Sequence, residues 1–245
     1  MENLQQVFKE IKEVAQFCFD RGWAERNAGN FSFRLDDEYV DERLERDSYF
    51  CLKKDIKIDE FYTDVPLSFL ISNSGSKFRD ISKEPEPLCG IVRLSTDKNI
   101  FYCHEKDALP SSELITHAML QKHFMMSKSS NKCIIHTHPT NLIAFTHRLV
   151  EKYADNLKEK LNSILENMLP EVSLFVKRKT GLVNDLQPGC SQLAQKTLSE
   201  LSSHDVVVWQ KHGCIAAADT FWNAVDMIDT IEKASYIALL SGIGM

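Results

Sequence analysis

No Cys-x-x-Cys pair occurs in this chain: its seven cysteines, Cys18, Cys51, Cys89, Cys103, Cys133, Cys190 and Cys214, stand singly, several inside apolar runs. That argues against disulfides and thiolate metal sites, and the set reads as reduced packing residues. No apolar stretch reaches the length of a membrane span. The opening residues Met1-Glu-Asn-Leu-Gln-Gln carry no basic-then-apolar leader, so the expected location is the cytoplasm. Positive charge is also in short supply. A net charge of −6 disfavours a broad nucleic-acid or membrane surface, and any anionic ligand must be held by local donors. The one dense basic triplet, Lys177-Arg178-Lys179, reads as a solvated loop. Internal repeats and low-complexity tracts are missing as well, which excludes an array. What is left, 43% hydrophobic and 26% charged over 245 residues, is a soluble globular chain able to bury a core. No segment stands apart as a module, so residues 1–245 are expected to form a single domain.

Helical and strand-like stretches alternate without strict βαβ spacing. Leu4, Val7, Phe8, Ile11, Val14, Ala15 and Cys18 recur at helical spacing and Gly22 stops the pattern, which predicts a first amphipathic helix. Phe31-Ser-Phe33-Arg-Leu35 alternates like a half-buried strand, and Ser68–Ser72 reads as a strand running into the turn Asn73-Ser74-Gly75-Ser76. Gly90–Leu94 and Ile100–Cys103, separated by Asp97-Lys98-Asn99, suggest a hairpin. The charged region from Asp36 to Tyr62 reads as a surface excursion. A helix opens at Ser111-Ser112-Glu113 and runs to Met126, followed by a strand Cys133–His138, a helix opening at Pro139 and another around Tyr153–Met168. Val172–Val176 reads as a strand, Gly189–Ser203 as a helix, and Val206–Trp209 and Cys214–Ala217 as strands. Phe221, Val225, Ile228, Ile231, Ser235 and Ile237 mark the inward stripe of a closing helix.

The segment Cys133-Ile-Ile-His136-Thr-His138-Pro139 carries the chemistry. In an extended strand residues two apart point the same way, so His136 and His138 can close on one ion from one side. His212 follows the strand Val206–Trp209 in the same polar-after-apolar position and supplies a third nitrogen. Three histidines leave one tetrahedral position open, as a catalytic zinc requires. The alternative is that these are ordinary histidines, and an isolated His-x-His pair would favour it.

In chain order, Asn27-Ala-Gly29-Asn30-Phe-Ser, Ser74-Gly75, Leu109-Pro-Ser-Ser112-Glu113, His136-Thr-His138-Pro-Thr-Asn and Lys211-His212-Gly213 resemble the class II (zinc) aldolase/epimerase family over nearly the whole length. The segments Gly22–Asn27, Gly75–Arg79, Thr140–Ala144 and Ile228–Ala234 are most similar to the branch acting on L-rhamnulose 1-phosphate. One departure is Lys177-Arg178-Lys179, where members have a Pro-Asp-Gly turn. The resemblance implies an α/β (α+β-like) fold: a central, mostly antiparallel β-sheet flanked by helices on both faces. It implies one Zn2+ per chain on His136, His138 and His212, a sugar phosphate as small-molecule partner, and a homotetramer with the active site near a subunit interface. It places Glu113 in the zinc pocket as acid/base, offers Asn27, Gly29, Asn30, Ser74, Gly75, Ser111 and Ser112 to the substrate phosphate, and carries Glu171 into a neighbouring subunit's site.

Read from the residues alone, these positions keep plainer explanations. Glu113 suits a helix start, Glu171 a surface site after Pro170, and Asn, Gly and Ser the ordinary needs of turns and caps. The implied activity is retro-aldol cleavage of a ketose 1-phosphate, which must stabilise an enediolate; a divalent ion can do so. A Schiff-base lysine is the other strategy, but no lysine sits in an apolar setting that would depress its pKa. Other family activities on this fold are L-fuculose 1-phosphate cleavage, 4-epimerisation or dehydration of a sugar phosphate, and a metal-free scaffold, the last disfavoured by the presence of all three histidines and Glu113. His104, His117, His123, His147 and His204 match no motif and are expected to be structural or solvated, with His117 four residues from Glu113 on one helix face.

Overall fold

The computed structural model describes residues 4–35, 50–51, 66–94, 100–103, 108–153 and 156–242. Helix α1 (Leu4–Asp20) turns Val7, Phe8, Ile11, Val14, Ala15 and Cys18 inward, and Gly22 adopts a φ of 72° just past its end. Full burial of an aliphatic or aromatic side chain contributes about 1.5–3 kcal/mol, against about 0.2–0.5 for an exposed pair one turn apart such as Gln16 with Asp20. Packing of these six side chains, not hydrogen bonds on the exposed face, therefore holds α1 in place.

Among the described residues nine strands form one sheet: β1 (Asn30–Leu35), β2 (Phe50–Cys51), β3 (Leu67–Ser72), β4 (Cys89–Leu94), β5 (Ile100–Cys103), β6 (Cys133–Thr137), β7 (Thr180–Val183), β8 (Val206–Trp209) and β9 (Gly213–Ala218). Their spatial order is β2-β5-β4-β3-β1-β6-β9-β8-β7. Every ladder is antiparallel except β7 against β8. The remaining helices are α2 (Phe78–Ile81), α3 (Leu114–Met126), α4 (Thr140–Lys152), α5 (Leu157–Met168), α6 (Glu171–Phe175), α7 (Ser191–Leu201) and α8 (Phe221–Ser241). One sheet face, with Phe31, Phe33, Ile135 and Ala216, packs under α1, α4, α5 and α8. On the other, Phe69 and Ile71 pack under α3, and Ile134, Ile215, Val207 and Trp209 under α3 and α7.

Three expectations are corrected. Residues Val172–Val176 are not a strand: α6 occupies Glu171–Phe175, with Pro170 at its start. Val172 and Val176, one helical turn apart, are buried, while Leu174 and Phe175 face outward at 62% and 59% exposure. β1 is buried on both faces instead of one, because helices cover both sides of the sheet. In α8 the last inward position is Ala238, and Ile237 is only half-buried. The surface excursion predicted for Asp36–Tyr62 lies outside the described residues apart from Phe50–Cys51.

The antiparallel order gathers distant segments at one end of the sheet. Asn30 at the start of β1 pairs with His136 near the end of β6, Ser72 ending β3 pairs with Cys89, and Trp209 ending β8 pairs with Gly213. An isolated bridge between Asn73 and Pro110 brings the Ser74-Gly75 turn and the start of α3 to the same end. Glu171 is carried elsewhere. Leu174 and Phe175 of its helix line an open groove with Asn131, Asp205 and Ala218, beside the opposite strand ends.

Candidate metal centre and active site

β6 delivers His136 from its buried penultimate residue and His138 from just past its end, while the β8–β9 turn delivers His212. One ligand atom from each of the three lies within 4.8 Å of the others. Positions two apart on an extended chain bring His136 and His138 together, and the β6–β9 ladder brings the third ring. Gly213 makes this approach possible. A Cβ there would overlap the Thr137 carbonyl oxygen and come within 3.0 Å of the His138 ring and 3.2 Å of the His136 ring.

The hydrogen bonds fix which nitrogens face inward. His136 Nδ1 donates to the Cys214 carbonyl at 2.9 Å, and His138 Nδ1 donates to the Glu25 carboxylate at 2.9 Å. The two Nε2 atoms are then left facing each other at 3.2 Å. Two lone pairs so placed repel unless a cation lies between them. On an ideal tetrahedron with metal–nitrogen bonds of 2.0–2.1 Å, ligand atoms are about 3.4 Å apart, so the separation fits a shared metal ion. His212 Nδ1, buried and without a partner among the described residues, adds an unfilled donor position. The residues therefore fit a metal. A carboxylate or carbonyl behind each ligating imidazole is the usual way of fixing its tautomer and orientation.

Burial sets the protonation of the site. It pushes His136 well below its ordinary value, with His138 and His212 adding to the fall, and takes His212 down to about 4, with His138 again contributing. Neutral imidazoles are what a cation needs. Burial alone would raise Glu25, but the His138 hydrogen bond, a backbone hydrogen bond and the nearby His138 and His212 rings together outweigh it and hold the carboxyl below its ordinary value. Trp209 walls the site: its ring lies 4.4 Å from His136 and 5.2 Å from His212 between centroids, and its indole N–H is anchored on Thr197 at 2.8 Å.

Glu113 is the residue immediately before α3, not a first-turn residue, and it caps nothing with its side chain. It is 3% exposed. Burial raises its pKa, opposed by hydrogen bonds from the Thr116 hydroxyl at 3.2 Å and the Gly189 backbone N–H. A buried carboxyl shifted toward neutrality can carry a proton.

The predicted phosphate contacts separate into free and engaged groups. Asn27, Ser74, Gly75 and Ser112 are exposed at this end of the sheet, Gly75 with a φ of 79° in its turn. Gly29 has a φ of 81° and packs against the His136 carbonyl, where a Cβ would sit 3.0 Å away. The Ser74 and Ser111 amides donate to the Leu109 and Ser72 carbonyls, and Ser111 Oγ accepts from Glu113 N, so these groups build the turns. Asn30 Oδ1 is held by His117. Among the other histidines, His147 is exposed, His204 bonds the Glu200 carbonyl, His123 is half-buried, and His104 lies outside the described residues.

Sequence reading missed Glu25, Trp209 and Glu232. The last, buried on α8, accepts from the Asn141 and Leu142 amides at 3.1 and 2.7 Å and from Asn141 Nδ2 at 2.8 Å, which fixes the start of α4 immediately after His138-Pro139. Its spacing within Ile228–Ala234 was a signal, but its partners lie about ninety residues away.

The model of the family described as class II aldolase and adducin N-terminal domain matches residues 9–239. The chain is 31% identical over 241 residues to a rhamnulose-1-phosphate aldolase of Bacteroides thetaiotaomicron, covering 97% of this chain and 87% of the other. It is similar to the crystal structure of a sugar-phosphate aldolase from Thermotoga maritima, at 28% identity and a TM-score of 0.80, covering 98% of this chain and 97% of that one. An L-fuculose-1-phosphate aldolase from Thermus thermophilus shares the fold at 15% identity and a TM-score of 0.58, with 98% and 95% of the two chains covered.

Proposed function

This chain belongs to the class II aldolase and adducin N-terminal domain family, and from that premise we propose that it is a zinc-dependent aldolase cleaving L-rhamnulose 1-phosphate reversibly to dihydroxyacetone phosphate and L-lactaldehyde. The convergence of His136, His138 and His212, with two Nε2 atoms turned toward each other, is the observation that carries a metal-dependent reaction. The substrate is supported by the 31% identical relative that bears this name.

His136, His138 and His212 would hold the ion, whose Lewis acidity offsets the charge of the enediolate by several kcal/mol. Cys214 and Glu25 keep the His136 and His138 rings in the ligating tautomer. Glu113, buried and shifted toward its protonated form, moves a proton between the substrate carbon or hydroxyl and the site, with the Gly189 N–H and Thr116 hydroxyl steadying its charged form. Asn27, Asn30, Ser74, Gly75 and Ser112 surround the phosphate, and binding energy from that remote group orients the ketone. Trp209 excludes water from one side of the histidines.

Glu171 belongs in this reading to the site of a neighbouring copy within a homotetramer. The exposure of Leu174 and Phe175 beside it supports a subunit contact there. The whole chain, residues 1–245, then acts as a single catalytic domain of the cytoplasm.

Metal analysis of the purified protein beside kcat/KM for both ketose 1-phosphates tests the reading. One zinc per chain and a clear preference for L-rhamnulose 1-phosphate are expected, with activity lost to a chelator and restored by Zn2+. A preference for L-fuculose 1-phosphate would overturn the substrate, and cleavage that survives complete metal removal would overturn the mechanism.

A further inference from the structure

His117 lies fully buried on α3, and the mechanism above makes no use of it. Its Nδ1 is 2.8 Å from Ser32 Oγ and its Nε2 is 2.6 Å from Asn30 Oδ1. Ser32 Oγ is also 2.9 Å from Gln121 Nε2, which lies 3.0 Å from the Lys132 carbonyl. Four side chains therefore form one line, ending on a strand residue paired with the ligand His136.

The direction of every hydrogen in that line follows from its far end. A backbone carbonyl only accepts, so Gln121 must turn its N–H groups toward Lys132 and Ser32; turned over, two oxygens would oppose each other at 3.0 Å. Ser32 Oγ, receiving Gln121, points its own hydrogen at His117 Nδ1. The ring proton then sits on Nε2 and is given to Asn30 Oδ1. In the other tautomer Ser32 would receive two N–H groups and its hydroxyl hydrogen, at 0% exposure, would have no acceptor among the described residues. Burial also takes the His117 pKa down to about 3, so the ring stays neutral at working pH.

With Oδ1 tied back, the Asn30 amide has its nitrogen turned away from His117, and no described residue accepts from Nδ2. We propose that His117 is a positioning residue which, as the neutral Nε2–H tautomer, locks the Asn30 amide so that Nδ2 donates to an anionic oxygen of the phosphorylated substrate. This rests on reading Asn30 as a substrate contact. Loss of the lock would let the amide turn over and present an oxygen to an oxyanion.

The test combines a spectrum with two variants of the metal-loaded protein. Long-range 15N–1H correlation on histidine-labelled wild type should show His117, assigned by its disappearance in His117→Gln, as a neutral Nε2–H ring at pH 7. His117→Leu should bind inorganic phosphate about tenfold more weakly and raise KM for the sugar phosphate more than it lowers kcat, with metal content unchanged. His117→Gln, which keeps a donor toward Asn30, should recover most of that loss. An Nδ1–H ring, or a folded and metal-loaded leucine variant with wild-type phosphate affinity, overturns the proposal, and the spectrum decides even where that variant does not fold. Asn30→Ala separates the two readings: if it leaves phosphate binding intact, Asn30 is no substrate contact and the site reading fails first.

Discussion

In the proposed mechanism Glu113 is the residue on which turnover depends most directly. Its carboxyl is buried and its pKa raised, so it can take up and return a proton, whereas an exposed helix-start glutamate would stay ionised. Glu113→Gln keeps the size and a hydrogen-bonding oxygen, and is expected to retain metal and fold while losing about 10²–10⁴ in kcat. Stopped assays beside zinc analysis check this; parental turnover would make Glu113 a structural residue. The three histidines were legible at this scale as a candidate metal set because two of them are spaced for one side of a strand. Glu25 and Trp209 were not, since Glu25 lies 113 residues from the His138 it orients and an aromatic strand residue reads as core.

At the scale of elements, the start of α4 depends on α8. Glu232 satisfies two backbone N–H groups there, and its buried carboxylate complements the helix N-terminus. Glu232→Ala leaves those donors without the carboxylate and should cost about 2–4 kcal/mol, read as a lower urea midpoint at an unchanged slope. It should also weaken zinc binding, because His138 is held between Trp23, whose carbonyl accepts its amide, and this helix start. Unchanged stability would mean that water replaces the carboxylate. Helix α1 and the hairpin β4–β5 followed from periodicity and turn residues, whereas α6 did not. Val172, Leu174 and Val176 alternate like a strand, and the same residues offer an i, i+4 helical pair; five residues are too few for period alone to decide.

For the whole molecule, acid should unfold the protein partly through His117. Its folded pKa is about 3 and its ordinary value 6.5. Between those limits the unfolded chain binds a proton that the folded chain does not, so stability falls as pH is lowered from about 6.5, by up to about 1.4 kcal/mol per unit, and this group has no effect above that. His117→Gln removes the titration, so urea midpoints of variant and wild type should converge as pH falls from 7 to 5; parallel curves would refute it. The sequence by itself determined most helices and strands and the three-histidine set as a candidate metal site, because these depend on spacing within one element and on side-chain chemistry. Only the tertiary structure decided that β1, β3, β6 and β9 bring Asn30, Ser72, His136 and Gly213 to one end of the sheet, that Glu171 lies elsewhere, that Glu25 and Trp209 contact the histidines, that His117 contacts Asn30, and that Glu232 holds the start of α4. Those partners meet through ladders and packing between residues far apart in the chain, and local periodicity carries no information about which distant element will close the contact.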